Sequence, residues 1–230
     1  SYALLWEERV VWRIILLTSA PTNKSATPTL DIVTSARNEV ENIFPLYEQI
    51  STAMKNEIYK WRLIISDNSS SDGTWERIET LAKLHENVLG IKLSRDFGFE
   101  SSIQAAISKS DADAVLIMAS DLQDPPASIP AFLREYELGF DHVYQVYSAR
   151  PGVSWLRNLN SKLFYLVAAW VSGGLIQRNS SVFRLLSRRM VNAVNLINEK
   201  NRFIRALLPW LGFKSKAIFI DREARIRGES

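Results

Sequence analysis

The segment Ala114–Pro126, AVLIMASDLQDPP, is an apolar run that ends in two carboxylates, an amide and two prolines. Residues 115–118 show no polar alternation, which predicts a strand buried on both faces, as in a parallel sheet covered by helices. In open α/β sheets, ligands bind beyond the carboxyl ends of such strands. Asp121 and Gln123 stand at that position, and their oxygens suit a hard divalent cation such as Mg²⁺ or Mn²⁺. A plain strand-to-helix turn with aspartate as the cap is the alternative interpretation.

The composition limits the kinds of metal site that the chain can build. It has 230 residues, no cysteine and two histidines. This length suits one α/β domain with a substantial core. The lack of cysteine excludes disulfides and thiolate ligands, and two histidines leave little material for a zinc site. Any bound metal is therefore expected to have oxygen ligands.

The positive charge is concentrated at the C-terminal end. Residues 200–230 hold eight Lys and Arg residues against three Asp and Glu residues, a local net charge of +5, which leaves −2 for the rest. We expect this segment to face a partner surface of opposite charge. No apolar run is long enough to span a bilayer, so we expect the sequence as given not to cross a membrane.

The first residues form a separate unit in the pattern. Residues 3–17, ALLWEERVVWRIILL, predict an amphipathic helix and are too charged for the apolar region of a secretory signal. This helix could pack on the domain or on a second copy of the chain in a homo-oligomer, or it could lie on a membrane surface. We assign residues 1–28 to an N-terminal extension and residues 29–230 to the folded domain.

Strands and helices alternate along the chain from residue 30. The pattern predicts strands at Leu30–Ser35, Arg62–Asp67, Val88–Leu93, Ala114–Ser120 and His142–Tyr147, with intervening helices at Asn42–Asn56, Thr74–His85, Phe99–Lys109 and Ser128–Leu138. Beyond Arg150 it predicts helices at Trp155–Val171, Ser187–Leu196 and Arg202–Leu211, and strands at Phe183–Leu186 and Lys214–Asp221. Such alternation specifies an α/β fold with a mostly parallel, Rossmann-like sheet flanked by helices.

Each of the first four strands ends in a polar signature rather than in a glycine loop. The signatures are SARNEVENI (35–43), SDNSSSDGT (66–74), SRDFG (94–98) and SDLQDPP (120–126). The motifs GxGxxG and GxxxxGK[ST] do not occur, which weighs against a nicotinamide dehydrogenase and a P-loop ATPase. A carboxylate at Asp67 could accept hydrogen bonds from a base or a ribose, while a metal at Asp121 neutralises a diphosphate. Taken alone, SDNSSSDGT is also typical of a turn in which Asp72 caps a helix.

The order of these signatures resembles the family 2 glycosyltransferases of GT-A fold. Within that family, residues 29–230 are similar to the polyprenyl-phosphate glycosyltransferases, such as dolichol-phosphate mannosyltransferase and the undecaprenyl-phosphate glycosyltransferases. The resemblance implies an inverting, metal-dependent hexosyltransferase that moves a sugar from a nucleotide-diphosphate sugar to a polyprenyl phosphate in cell-envelope glycan synthesis. It implies a site at the cytoplasmic face of the membrane, peripheral for the sequence as given, with any membrane helices beyond the C-terminus. It implies no nucleic-acid partner.

The same resemblance assigns the site residues. Those expected to contact the nucleotide are Ser35, Arg37, Asn38, Glu39, Asp67, Arg95 and Asp121. Asp121 and Gln123 are expected to bind Mg²⁺ or Mn²⁺, and Asp121, Arg150 and Arg157 are the expected catalytic residues. The acceptor phosphate is expected to meet Arg150, Arg157, Arg222 and Arg225, the last two in the segment DREARIRGES.

The chain departs from the family pattern at several positions. Ala119 stands where relatives usually carry the first aspartate of D-x-D-L-Q, so we expect weaker binding of the ion. Asn68 replaces a second acidic residue, and Phe99 replaces a frequent histidine. Val182 stands where relatives often carry the aspartate that a hydroxyl acceptor would need as a base. A phosphate acceptor is already anionic and needs positioning instead. A carbohydrate hydroxyl acceptor, or a degenerate binding protein without turnover, are the alternative functions.

Overall fold

The computed structural model describes residues 27–147, 180–197 and 204–220. Within these ranges the strands are β1 (Thr29–Ala36), β2 (Lys60–Asp67), β3 (Val88–Lys92), β4 (Ala114–Ile117), β5 (His142–Tyr147), β6 (Ser180–Ser187) and β7 (Ser215–Ile220). The helices are α1 (Ile43–Met54), α2 (Thr74–Leu84), α3 (Phe99–Ile107), α4 (Ile129–Glu137), α5 (Arg188–Leu196) and α6 (Ile204–Trp210). A short 3₁₀ turn, Pro126–Ser128, precedes α4.

The seven strands form one sheet in the order β3-β2-β1-β4-β6-β5-β7. β1 pairs in parallel with β2 and β4, β2 with β3, and β5 with β7. β6 is antiparallel to both of its neighbours, β4 and β5. The prediction of a mostly parallel sheet flanked by helices is therefore confirmed, and the carboxyl ends of β1, β2 and β4 meet at one edge.

The central strands are buried because both of their faces are apolar. Along β1, Ile32 belongs to one hydrophobic layer and Val33 to the other. In the first layer, Phe132 of α4 stacks on Phe183 of β6 with ring centroids 4.4 Å apart. Burial of each such side chain contributes about 1.5–3 kcal/mol. The two layers fix the sheet, and with it the position of the strand ends.

The strand β4 ends three residues earlier than the sequence predicts. The amide of Met118 still donates to the carbonyl of Val33 at 3.1 Å. Beyond it the ladder stops, and the Ser120 hydroxyl donates to the carbonyl of Ser35 at 2.9 Å. A side-chain bond thus replaces the ladder and lets the following turn leave the sheet. β6, in contrast, is longer than predicted and reaches from Ser180 to Ser187.

At the opposite edge of the sheet, carboxylates bind the amino ends of the strands through an ion pair and through hydrogen bonds. Asp31 is buried at β1 and accepts from Arg62 Nε at 2.9 Å and from Nη2 at 2.8 Å. The hydrogen bond to Asp31 raises the pKa of the Arg62 guanidinium. Asp113 accepts from the amide and the hydroxyl of Thr29 at 2.9 and 2.8 Å. These carboxylates are satisfied and hold the amino ends of the strands.

Some predicted elements lie outside the described residues. They are the helix at residues 3–17 and the helix at Trp155–Val171. Among the helices that the structure describes, none has the length and apolar character needed to cross a bilayer.

Candidate active site

A cleft lies where the carboxyl ends of β1, β2 and β4 meet the start of α3. Its volume is about 300 Å³. It is lined by Ser35, Arg37, Glu39, Asn68, Asp96, Gly98, Phe99, Ala119, Ser120 and Asp121. Four predicted site residues, Ser35, Arg37, Glu39 and Asp121, are thus brought together although they come from two distant segments.

The loops that follow β1 and β2 are bonded to each other. Asn38 has a left-handed backbone with φ 55°. Its amide donates to the Ser70 hydroxyl at 3.0 Å, and its side-chain oxygen accepts from the Ser71 amide at 3.0 Å. The amide of Glu39 donates to the Thr74 hydroxyl at 2.8 Å. Asparagine tolerates the left-handed region, so Asn38 can form this turn. The bonds between the two loops hold Glu39 at the wall of the cleft.

Asp72 stabilises the turn before α2, as the alternative interpretation of SDNSSSDGT predicts, although the N-cap residue of the helix is Gly73 rather than Asp72. Its carboxylate accepts from the Thr74 amide at 3.0 Å and from the Val40 amide at 3.2 Å. Burial raises the pKa of Asp72, but the hydrogen bonds from Thr74 and Val40 outweigh it, so its pKa is lowered. Gly73, with φ 95°, supplies the left-handed residue that starts α2. Asp72 is therefore accounted for by the fold.

The described residues account for only one of the two carboxylate oxygens of Asp67. It is fully buried at the end of β2, and Oδ1 accepts from the Ser70 amide at 3.3 Å. Its Oδ2 is buried and has no hydrogen-bond partner among the described residues. Buried polar groups are usually satisfied, so this oxygen is a candidate acceptor for a ligand. Asp67 itself is not among the lining residues, but it directly precedes Asn68, which is.

The loop after β3 closes another side of the cleft through Asp96. Asp96 forms an ion pair with Arg37. Asp96 Oδ1 accepts from Asn68 Nδ2 at 2.7 Å and from the Gly98 amide at 2.8 Å. The Asn68 side-chain oxygen in turn accepts from the Phe97 amide at 2.9 Å. One carboxylate therefore joins the loops that follow three different strands.

Arg95, predicted to contact the nucleotide, lies at the margin of the cleft. Its guanidinium is 3.9 Å from the centre of the Phe97 ring and donates to the carbonyl of Asp96 at 2.9 Å. It is exposed and is not among the lining residues. Sequence reasoning missed the neighbouring Asp96, although the SRDFG signature that contains both residues was identified.

The DLQ turn presents Asp121 to the cleft. Asp121 is half-buried, and its Oδ1 accepts from the Gln123 amide at 3.1 Å. No group in the described part of the chain donates to its Oδ2. Leu122 has φ 59° and is buried, which turns the chain between the two polar residues. Gln123 is half-buried and is not among the lining residues.

The residues present fit a divalent ion that takes most of its ligands from water and from substrate phosphates. The described residues contain no cluster of three or more His, Cys, Asp or Glu side chains that could hold a metal. Asp121 offers one open carboxylate oxygen, while Ala119 brings only a methyl group to the lining. Mg²⁺ keeps several waters and is bound through one or two carboxylates plus substrate phosphates. Asp121 is sufficient for such a site but not for an all-protein cage.

Four predicted site residues lie outside the described residues. They are Arg150, Arg157, Arg222 and Arg225. Val182, at the position where a base would be expected for a hydroxyl acceptor, is half-buried on β6.

The chain is similar in sequence to known proteins. Residues 31–194 match the family model of glycosyl transferase family 2. The chain belongs to this family. It is 29% identical over 201 residues to an uncharacterized glycosyltransferase of Synechocystis sp. (strain ATCC 27184 / PCC 6803 / Kazusa), covering 87% of this chain and 63% of that protein. It is 32% identical to a putative glycosyltransferase of Bacillus subtilis (strain 168), covering 87% and 61%.

A third relative carries a more specific name. The bactoprenol glucosyl transferase of Shigella phage SfV is 28% identical, with 87% of this chain and 66% of that protein covered. The chain thus spans about three fifths of the length of the curated relatives it matches.

Solved structures show the same fold. Crystal structures of glucosyl-3-phosphoglycerate synthase from Mycobacterium tuberculosis align with TM-scores of 0.60, in complex with uridine diphosphate, and 0.59, in complex with Mn²⁺, uridine diphosphate and glucosyl-3-phosphoglycerate. Each is 19% identical and covers 89% of this chain and 74% of the other. The GT-A fold class and the family expected from the sequence are confirmed.

Proposed function

We propose that residues 29–230 are the catalytic domain of an inverting glycosyltransferase that moves a sugar from a nucleotide-diphosphate sugar to a polyprenyl phosphate, such as undecaprenyl or dolichyl phosphate. The observation that carries the donor assignment is the placement of Asp67 at the end of β2 and of Asp121 in the turn that follows β4, with β1 between the two strands. Two strand spacings separate the ends of β2 and β4 by about 10 Å. This separation is comparable to the span from the base to the diphosphate of a nucleotide.

In this proposal the two carboxylates bind different parts of the donor. The Oδ2 of Asp67, which has no partner in the described part of the chain, accepts a hydrogen bond from the base or the ribose. The open oxygen of Asp121 holds a Mg²⁺ or Mn²⁺ ion, which would neutralise the departing diphosphate. Ser35, Arg37 and Glu39 line the cleft together with Asp121. The named complexes of the structural neighbours with uridine diphosphate and Mn²⁺ support this assignment.

The acceptor in this proposal is an anionic lipid held by Arg150 and Arg157. A phosphate oxygen attacks the anomeric carbon, the bond from that carbon to the nucleoside diphosphate breaks, and the electron pair leaves with the diphosphate. No proton has to be removed from a phosphate anion at neutral pH, so Val182 in place of a base is no obstacle. The similarity to proteins named bactoprenol glucosyl transferase supports a lipid acceptor.

The basic C-terminal segment completes this proposal. Arg222 and Arg225 belong to the segment of residues 200–230 with a local net charge of +5. Such a segment is attracted to anionic headgroups, so we place the domain peripherally at the cytoplasmic face of the membrane.

A second candidate function is binding of a nucleotide sugar without turnover. Ala119 favours it, because the DLQ turn offers only the Asp121 carboxylate for the ion where the family motif usually has two. Weak ion binding would leave the diphosphate a poor leaving group.

Transfer of a labelled sugar to polyprenyl phosphate, compared with transfer to soluble sugars, tests the proposed acceptor. A guanidinium binds phosphate through two parallel hydrogen bonds, which lysine cannot reproduce. Arg157→Lys should therefore reduce transfer to the lipid by about tenfold or more, while the donor KM changes by less than about twofold. Arg134→Lys is the matched control. Arg134 lies on α4, and its guanidinium also forms two parallel bonds, each 3.0 Å long, but to Glu57.

Two results would overturn the lipid acceptor. One is full transfer by both Arg150→Ala and Arg157→Lys. The other is glycosylation of a soluble sugar as readily as of the lipid phosphate, in which case a carbohydrate hydroxyl is the acceptor.

A further inference from the structure

Asp124 lies three residues beyond Asp121 and is only 1% exposed. The hydroxyl of Tyr147 donates to its Oδ1 at 2.7 Å. The hydroxyl of Ser181 lies 3.0 Å from Oδ1 and 3.1 Å from Oδ2. Tyr147 is the last residue of β5 and Ser181 the second residue of β6. One buried carboxylate thus ties the DLQ turn to the ends of two strands.

Two further hydrogen bonds fix the orientation of Ser181. The amide of Phe183 donates to the Ser181 hydroxyl oxygen at 3.1 Å. The buried guanidinium of Arg184 donates to the Ser181 carbonyl at 2.6 Å. Because a serine hydroxyl has a single proton, its donation is directed to Asp124. The carboxylate therefore meets a donor whose position is already set.

The turn that Asp124 anchors is strained. Leu122 has φ 59°, a conformation that is unfavourable for a residue with a branched side chain. Such a conformation persists only where surrounding contacts hold it, and these residues often cluster at functional sites. Burial of the Leu122 side chain supplies one of these contacts. The hydrogen bonds to Asp124, two residues further along the chain, supply others.

We propose that Asp124, Tyr147 and Ser181 form a positioning site for the turn, and that this site sets where the Asp121 carboxylate stands in the cleft. This inference rests on the proposed function, in which Asp121 holds the ion of the donor complex. Tyr147 and Ser181 are not among the residues that line the cleft, so they act on the ion only through the turn.

Removal of the Tyr147 hydroxyl tests the inference. Tyr147→Phe keeps the ring and deletes one bond to Asp124, so it should weaken Mn²⁺ binding in the presence of uridine diphosphate by about tenfold. The affinity for uridine diphosphate without metal should stay within about twofold. Tyr136→Phe is the control, because its hydroxyl donates to the Asp113 carbonyl at 3.3 Å, away from the turn. It should change neither affinity.

Hydrogen exchange of the ligand-free protein supplies a second readout. The Gln123 amide, bonded to Asp121 Oδ1, should exchange about tenfold faster in Tyr147→Phe and Ser181→Ala. The Met118 amide, bonded to the Val33 carbonyl, is the reference, and the inference predicts a larger acceleration at Gln123 than at Met118.

The two readouts separate the inference from the proposed function. Unchanged exchange at Gln123 in both variants would overturn the positioning role, whatever the protein binds. If the wild-type protein binds no uridine or guanosine diphosphate while exchange accelerates as expected, the proposed function fails and the positioning of the turn stands.

Discussion

Replacement of Asp67 by asparagine should weaken nucleotide binding without lowering the free energy of unfolding. Asp67 is fully buried, and among the described residues its carboxylate accepts one hydrogen bond, 3.3 Å long at Oδ1, while Oδ2 has no partner. An unsatisfied buried polar group costs about 1–3 kcal/mol, so the uncharged amide should leave the free energy of unfolding unchanged or raise it by about 1 kcal/mol. A hydrogen bond from a ligand to a charged acceptor contributes about 1.5–3 kcal/mol. The affinity for a nucleoside diphosphate should therefore fall by about 10- to 150-fold.

Urea unfolding of the ligand-free protein and calorimetric titration with uridine and guanosine diphosphates measure the two quantities. Asp113→Asn is the control, because that carboxylate accepts two hydrogen bonds from Thr29 at the opposite edge of the sheet. It should lose about 1–3 kcal/mol of stability without a change in nucleotide affinity. The reasoning is refuted if Asp67→Asn behaves like this control, with lost stability and unchanged affinity.

Three further changes probe the ion, the pH dependence and the core. Ala119→Asp adds a carboxylate at the cleft and should tighten Mn²⁺ binding in the presence of nucleoside diphosphate, as a titration of both forms would show; equal affinities would mean that residue 119 does not face the ion. Burial and the nearby Arg184 guanidinium lower the pKa of His142 well below its usual value. As the pH falls below about 6.5, His142 becomes protonated in the unfolded chain but stays neutral in the folded chain. The free energy of unfolding is therefore highest above about pH 6.5 and falls by about 1.4 kcal/mol per pH unit below it. His142→Gln should abolish this slope in urea unfolding from pH 5 to 8. Phe132→Ala removes the ring stacked on Phe183 and should cost about 3–5 kcal/mol in the same unfolding assay; a loss under 1 kcal/mol would contradict the packing of α4 on the sheet.

The bounds of β1 and β2 could be predicted within two residues because their apolar runs are buried on both faces. For β1, the pattern gives Leu30–Ser35 and the structure gives Thr29–Ala36. The end of β4 was wrong by three residues, because the Ser120 hydroxyl bonds to the Ser35 carbonyl, a contact between distant segments. Hydrophobic periodicity carries no information about such a bond.

The direction of β6 shows another limit of the sequence. Its apolar run predicts a strand, but the run is equally compatible with either orientation in the sheet. The structure places it antiparallel between β4 and β5. The orientation depends on the path of the chain before the strand, which the residues of β6 do not encode.

Much of the cleft followed from one rule, that ligand sites form beyond the carboxyl ends of parallel strands. That rule selected Asp121, and the resemblance to the family added Ser35 and Arg37; all three line the cleft. It did not select Asp96, because its pairing with Arg37 depends on the conformation of two loops that follow different strands. It also missed the bond between Tyr147 and Asp124, since the tyrosine lies on β5 and outside the four signatures.

Release of nucleoside diphosphate from nucleotide sugars tests most directly whether this cleft activates a sugar donor. The proposed function predicts release by the wild-type protein with Mn²⁺ and polyprenyl phosphate, and none with a chelator. Asp121→Ala should slow release by about 100-fold, since metal stabilisation of the leaving group contributes several kcal/mol. Asp111→Ala removes an exposed carboxylate that pairs with Arg62 at the opposite edge and should leave the rate unchanged. No release from any uridine or guanosine diphosphate sugar, or release unaffected by Asp121→Ala, would contradict a catalytic donor site in this cleft.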